Sequence, residues 1–151
     1  MERKKELLAY CGIYCGDCLG YTGVIADASR NLKRVVDRYR FEKTAKGVFP
    51  DELKGYERFY AMVTFMSELR CPGRCREVED TDTSCEVRKC CRKREFHGCY
   101  ECDDFEVCEK LRSLMGGVHT EACIRNLKAI REMGLEAWLA KGESIMYWDM
   151  V

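Results

Sequence analysis

The chain has 151 residues, room for about one ordinary domain, and its 26 Lys plus Arg against 26 Asp plus Glu leave a formal net charge of zero. That balance argues against a polyanion partner, so nucleic acid is disfavoured. The start is charged from Met1 to Glu6, with only Leu7, Leu8 and Ala9 before Tyr10, and no stretch approaches the roughly 18 apolar residues of a membrane span. A cytoplasmic location without membrane attachment is expected.

The first element is CGIYCGDC, which sets Cys11, Cys15 and Cys18 in a C-x3-C-x2-C arrangement. Gly16 lets the last two sulfurs turn to one side, as in a zinc knuckle or an iron–sulfur loop. From Thr22 to Lys46 the residues Ile25, Ala28, Leu32, Val35, Val36 and Tyr39 recur at helical spacing, and Gly47 and Pro50 stop the helix. Asp51 is the expected N-cap of a second helix whose Leu53, Tyr56, Phe59, Tyr60, Val63, Met66 and Leu69 form an aromatic face. Such a face can line a ligand pocket, but packing into a core is its usual use.

Cys71-Pro72-Gly73 ends that helix and opens CPGRC, where a tight turn can aim Cys71 and Cys75 inward. Residues 71 to 104 mix cysteines with charges and show no sustained period, as expected of a segment organised by metal rather than by apolar burial. Cys85, Cys90 and Cys91 fall in CEVRKCC, and CYEC supplies Cys99 and Cys102. A helix is expected from Phe105 to Met115, carrying Cys108, and another from Thr120 to Met133, with Cys123, Leu127 and Ile130 aligned. The tail, with Trp138, Leu139, Tyr147 and Trp148, is expected to dock on the helices. The expected class is mostly α: one small helical domain over 1–151 with irregular cysteine-rich metal-binding loops. It comprises a two-helix spacer over about 22–69, metal loops at 11–18 and 71–108, and C-terminal helices over 105–141.

Twelve cysteines in a chain with no sign of export read as metal-bound thiolates rather than a disulfide framework. Ten of them (Cys11, Cys15, Cys18, Cys71, Cys75, Cys85, Cys90, Cys99, Cys102 and Cys108) are the candidate ligands, more than the eight that two four-cysteine centres need. Zinc, as two ions, is the expected cofactor, and an iron–sulfur cluster is the alternative. One workable partition joins Cys71 and Cys75 to Cys99 and Cys102, leaving Cys11, Cys15 and Cys18 to a later cysteine such as Cys108. Cys123 reads as a buried inert thiol on an apolar face, and Cys91 as spare beside Cys90. His97 is a weaker candidate ligand, and His119 weaker still. Arg70, Arg74, Arg76, Arg88, Lys89, Arg92, Lys93 and Arg94 crowd the cysteines, which suits the net charge of a zinc tetrathiolate. Asp80, Asp82, Glu86 and the acidic residues from Glu101 to Glu106 dilute the field of that patch.

These motifs, CGIYCGDC, CPGRC and CEVRKCCRKREFHGCYECDDFEVCEKL, resemble those of the family known as domain of unknown function 3795 from Cys11 to Leu111. The stretch NLKAIREMGLEAWLAKG is similar to a helix that follows the domain in family members. The chain departs from the family ending at Glu106-Val107, where a Phe-Pro-Cys sequence is expected. The resemblance implies a cysteine-rich, zinc-binding domain with no established activity. No acid, base or nucleophile constellation stands out, so a non-catalytic binding or interaction module is expected, with a protein partner compatible and none identified. Two alternatives carry chemistry. The C-x3-C-x2-C spacing is that of radical S-adenosylmethionine enzymes, and the C-x-x-C pairs Cys15/Cys18 and Cys99/Cys102 could exchange disulfides.

Overall fold

A computed structural model describes residues 4–71, 73–78 and 85–150. Pro72 of the expected turn, and Asp80 and Asp82 of the acidic flank, lie outside them. The described residues are helical without a named strand, and Leu8 and Tyr14 form an isolated antiparallel bridge. The mostly α class holds. No described helix is long and apolar enough to cross a membrane. The chain divides into two compact units, Leu19–Cys71 and Met1–Cys18 with Pro72–Val151.

In the unit Leu19–Cys71, helices α1 (Leu19–Thr22), α2 (Val24–Arg38), α3 (Phe41–Gly47) and α4 (Tyr56–Glu68) follow in order. The single helix expected from Thr22 to Lys46 is broken at Arg40, whose φ of 48° is left-handed, a strained state costing about 1–3 kcal/mol for a non-glycine residue. The break lets the Phe41 ring lie 6.0 Å from that of Tyr56, which also packs on Phe59 and Tyr60. Asp51 does not cap α4; turns occupy residues 51–55 and Gly55 stands at the N-cap. Tyr56 and Val63 are buried as a core face should be, while Leu69 is exposed. Tyr56 and Tyr60 also border an open cleft of about 460 Å³ with Asp37, Arg40, Glu42, Lys46 and Glu57.

The burial of α2 corrects the periodicity argument. Ala26, Ser29 and Val36 are buried, whereas Ile25, Leu32, Val35 and Tyr39 are exposed. Polar groups join α2 to the α4 segment: Arg30 Nη2 donates to the Ser67 carbonyl at 3.0 Å, Lys33 Nζ to Asp37 and to the Tyr60 hydroxyl, and Arg70 to Asp27. Apolar spacing marks a face, but the partner selected the adjacent one.

The second unit contains α5 (Glu86–Lys93), α6 (Glu109–Arg112), α7 (Thr120–Met133) and α8 (Leu135–Lys141). Helix α5 lies in the segment expected to need little regular structure; Val87 and Cys91, one turn apart, are both buried, and Cys91 is the thiol that spacing leaves spare beside Cys90. The helix expected from Phe105 to Met115 shrinks to α6 between short 3₁₀ turns at Phe105–Val107 and Leu114–Gly117. Extended backbone at Cys108 and left-handed backbone at Met115 interrupt it. In α7, Cys123, Leu127 and Ile130 are buried as expected. Ile130 packs with Leu8, Tyr14, Trp138 and Leu139, and the Tyr14 and Trp138 rings meet edge to face at 6.3 Å. The tail docks on α7: the Asn126 carboxamide accepts from the Ile145 N–H at 2.8 Å and donates to its carbonyl at 2.9 Å, and Met146 is buried.

Gly12 shows why the first cysteine loop needs a residue without a side chain. Its φ is +90°, and a Cβ there would lie 2.8 Å from Leu127 Cγ on α7. Gly12→Ala should therefore lose about 1–3 kcal/mol to backbone strain and about as much again to overpacking. A denaturant melt of the variant checks this, and an unchanged midpoint would contradict it.

His119 lies 4.9 Å from the Tyr147 ring and 6.3 Å from Trp148, and burial holds its pKa below the ordinary value. A depressed folded-state pKa means the neutral ring is the one the fold favours. Its contribution is complete above the unfolded value of about 6.5 and is lost as pH falls through the lower folded value. Melting temperature should fall on acidification below about pH 6.5. His119→Phe should show a shallower fall, and an identical pH profile would exclude His119 as a source.

Candidate metal centres

Three short turns present five of the twelve thiols. At Cys15–Asp17 the Cys18 N–H donates to the Cys15 carbonyl at 3.0 Å, and at Cys99–Glu101 the Cys102 N–H donates to Cys99 at 2.9 Å. Each C-x-x-C is thus one 3₁₀ turn, which brings both cysteines to its two ends. The third turn, Phe105–Val107, is closed by the Cys108 N–H on the Phe105 carbonyl. Backbone contacts join distant loops, because the Cys99 N–H donates to the Tyr10 carbonyl at 2.8 Å. Arg76 adds a staple: it donates to the carbonyls of Leu8 and His97, each at 2.7 Å, and covers the Tyr10 ring.

Two thiol neighbourhoods result. Around the first loop, burial pushes the Cys15 thiol up to about 11, opposed by a backbone hydrogen bond from Cys75, with Cys75, Cys18 and Cys11 acting electrostatically. Burial likewise raises Cys75, which feels Cys11, Cys85 and the buried cation Arg88. Cys75 therefore neighbours Cys11 and Cys15. Cys11 is raised by a hydrogen bond with the Cys123 thiol and then by burial, and Cys123 is fully enclosed.

The second neighbourhood surrounds a cavity of about 30 Å³ lined by Cys90, Cys91, Cys99, Cys102 and Cys108. Cys91 Sγ lies 3.6 Å from Cys99 Sγ. A disulfide needs about 2.05 Å, so this pair stands as two thiols in contact and not as a bridge. Their hydrogen bond lowers the Cys91 pKa, with help from Arg76 and Arg94 against burial, and raises that of Cys99. Arg94 Nη1 donates to Cys102 Sγ at 3.6 Å and Lys110 borders the cavity. Arg131 on α7 holds the loop by donating to the carbonyls of Tyr100 and Cys102 at 2.9 and 2.7 Å while covering the Phe105 ring.

Among the described residues, no group of three or more His, Cys, Asp or Glu side chains already stands in metal-closing geometry. The chemistry of the donors nonetheless fits a thiophilic cation. Zinc–sulfur bonds of about 2.3 Å in a tetrahedron put two sulfurs about 3.8 Å apart, close to the Cys91–Cys99 spacing. A cation also stabilises buried thiolates that burial alone disfavours. Cys71 is exposed and falls in the unit Leu19–Cys71. His97 is held by Arg76 and does not line the cavity. Much of the cationic patch has local work: Lys89 pairs with Glu86, Arg74 with Glu77, and Arg92 donates to the carbonyls of Arg76 and Val78. The sequence reading missed the staples Arg76 and Arg131, since nothing in local spacing marks an arginine that bonds carbonyls across 68 or 31 positions.

A helical fold carrying twelve cysteines defines a cysteine-rich helical protein. The chain belongs to the family described as Protein of unknown function (DUF3795), whose profile matches residues 7–113. That match takes in every cysteine except Cys123. No curated protein and no solved structure matches the chain.

Proposed function

We propose that this is a cytoplasmic, non-catalytic metalloprotein in which two zinc ions, held by cysteines among the ten candidates, fix the loops that a protein partner reads. The observation that carries this reading is the convergence of five thiols from three chain segments on one small cavity, one pair of them at tetrahedral ligand spacing. A four-thiolate zinc site is closed and leaves no position for substrate. The nearby cations Arg94 and Lys110 offset the charge of such a site.

The two catalytic alternatives have less support. Radical enzymes of the C-x3-C-x2-C type use a β/α barrel and thioredoxin-like exchange uses a βαβ unit, whereas no strand is named among the described residues. Elemental analysis and visible spectra of anaerobically purified, chelator-free protein separate the readings. Two equivalents of zinc and no colour are expected. Stoichiometric iron with visible absorbance would replace zinc by a cluster, and absence of both metals would end the proposal.

A further inference from the structure

We propose that thiols lining the small cavity close on one tetrahedral, thiophilic divalent cation as a mononuclear site of Cys91, Cys99, Cys102 and Cys108, with Cys90 outside the coordination shell. The inference rests on the metalloprotein reading and goes beyond it, because sequence spacing favours Cys90 and leaves Cys91 spare.

Cys90 and Cys91 are neighbours on α5 and project about 100° apart, so although both border the cavity, one of them is the better aimed at its centre. Cys91 is 2% exposed and already lies 3.6 Å from the Cys99 sulfur. Of the two helix neighbours Cys90 is the less buried. Cys102 follows from Cys99, since the 3₁₀ turn that ends in its N–H bond to Cys99 brings the two ends of C-x-x-C together. Cys108 enters from the next turn, which its own N–H closes on the Phe105 carbonyl.

The cavity of about 30 Å³ exceeds the roughly 10–15 Å³ that a water needs, so an ion fits and a larger cofactor does not. Two sulfurs at 3.6 Å suit a shared metal, whereas each cysteine of a four-iron cluster holds its own iron. Binding converts four thiols to thiolates, releasing up to four protons to solvent, and Arg94 and Lys110 at the rim meet the net negative charge that results. The same assignment leaves Cys11, Cys15, Cys18, Cys75 and Cys85 to the other centre.

The test uses the full chain loaded with an NMR-active cadmium isotope, in which proton–cadmium correlations identify ligands directly. One cadmium should correlate with the β-protons of Cys91, Cys99, Cys102 and Cys108 and with none of Cys90. Correlations from Cys90 in place of Cys91, or from Cys11, Cys15 or Cys18 to the same cadmium, would overturn this assignment while leaving the metalloprotein reading intact. A chain that takes up no cadmium would overturn both. Cys90→Ser should keep two metals per chain, and Cys91→Ser should fall to one with the other cadmium signal retained; equal retention in both variants contradicts the assignment.

Discussion

Stripping metal from the reduced protein with a strong chelator is expected to unfold the unit formed by Met1–Cys18 and Pro72–Val151. Both tryptophans of the chain, Trp138 and Trp148, belong to that unit, so their emission reports on it alone. Structural zinc returns about 10–16 kcal/mol of apparent binding energy in small peptides. A whole domain is stable by only about 5–15 kcal/mol, so losing such a site is enough to remove the fold. Tryptophan emission should shift to the red and its melting transition vanish. Part of the far-ultraviolet helical signal should survive, because the α2–α4 pairing lies within Leu19–Cys71 and involves no cysteine among its contacts. Restoring zinc should restore the emission. An unchanged melt after exhaustive chelation would contradict the prediction.

The second large effect is expected from Trp138→Ala. Trp138 is 2% exposed and packs with Leu8, Tyr14, Ile130 and Leu139, so truncation should cost about 3–5 kcal/mol. The damage should reach the thiols, because Tyr14, which meets Trp138 edge to face, immediately precedes Cys15 and lies against Gly16. Metal affinity at the first loop should therefore fall together with melting temperature, followed by calorimetry and by metal content after mild chelation. Tyr39→Ala is the contrast: Tyr39 is 67% exposed, and the substitution should change stability by no more than about 0.5 kcal/mol. A stable Trp138→Ala chain that retains all its metal would show that the apolar cluster and the thiol loop are independent.

The sequence exposed the helical class because long cysteine-free segments carry a 3.6-residue period. It could not reveal which stripe of α2 is buried. The choice depends on Arg30, Lys33 and Arg70 finding Ser67, Tyr60 and Asp27, contacts that apolar spacing does not encode. Helix α5 was hidden for a related reason: a cysteine can be a ligand or a small apolar residue, and Cys91 at one turn from Val87 is buried like the second while its sulfur touches that of Cys99. The cysteine turns were legible from C-x-x-C spacing. How the turns are grouped was not, since loops distant in sequence meet through backbone bonds such as Cys99 to Tyr10 and through the Arg76 staple. Arg40 marks a further limit, for no glycine or proline announces the helix break there.

Native mass spectrometry of chelator-free, reduced protein, recorded before and after acidification, tests most directly whether sulfur-bound ions hold this fold. The account predicts a compact charge-state envelope at the mass of the chain plus two zinc ions, and after acidification an expanded envelope at the mass of the bare, fully reduced chain. A compact envelope at the bare mass, with all twelve thiols present as free SH, would contradict it.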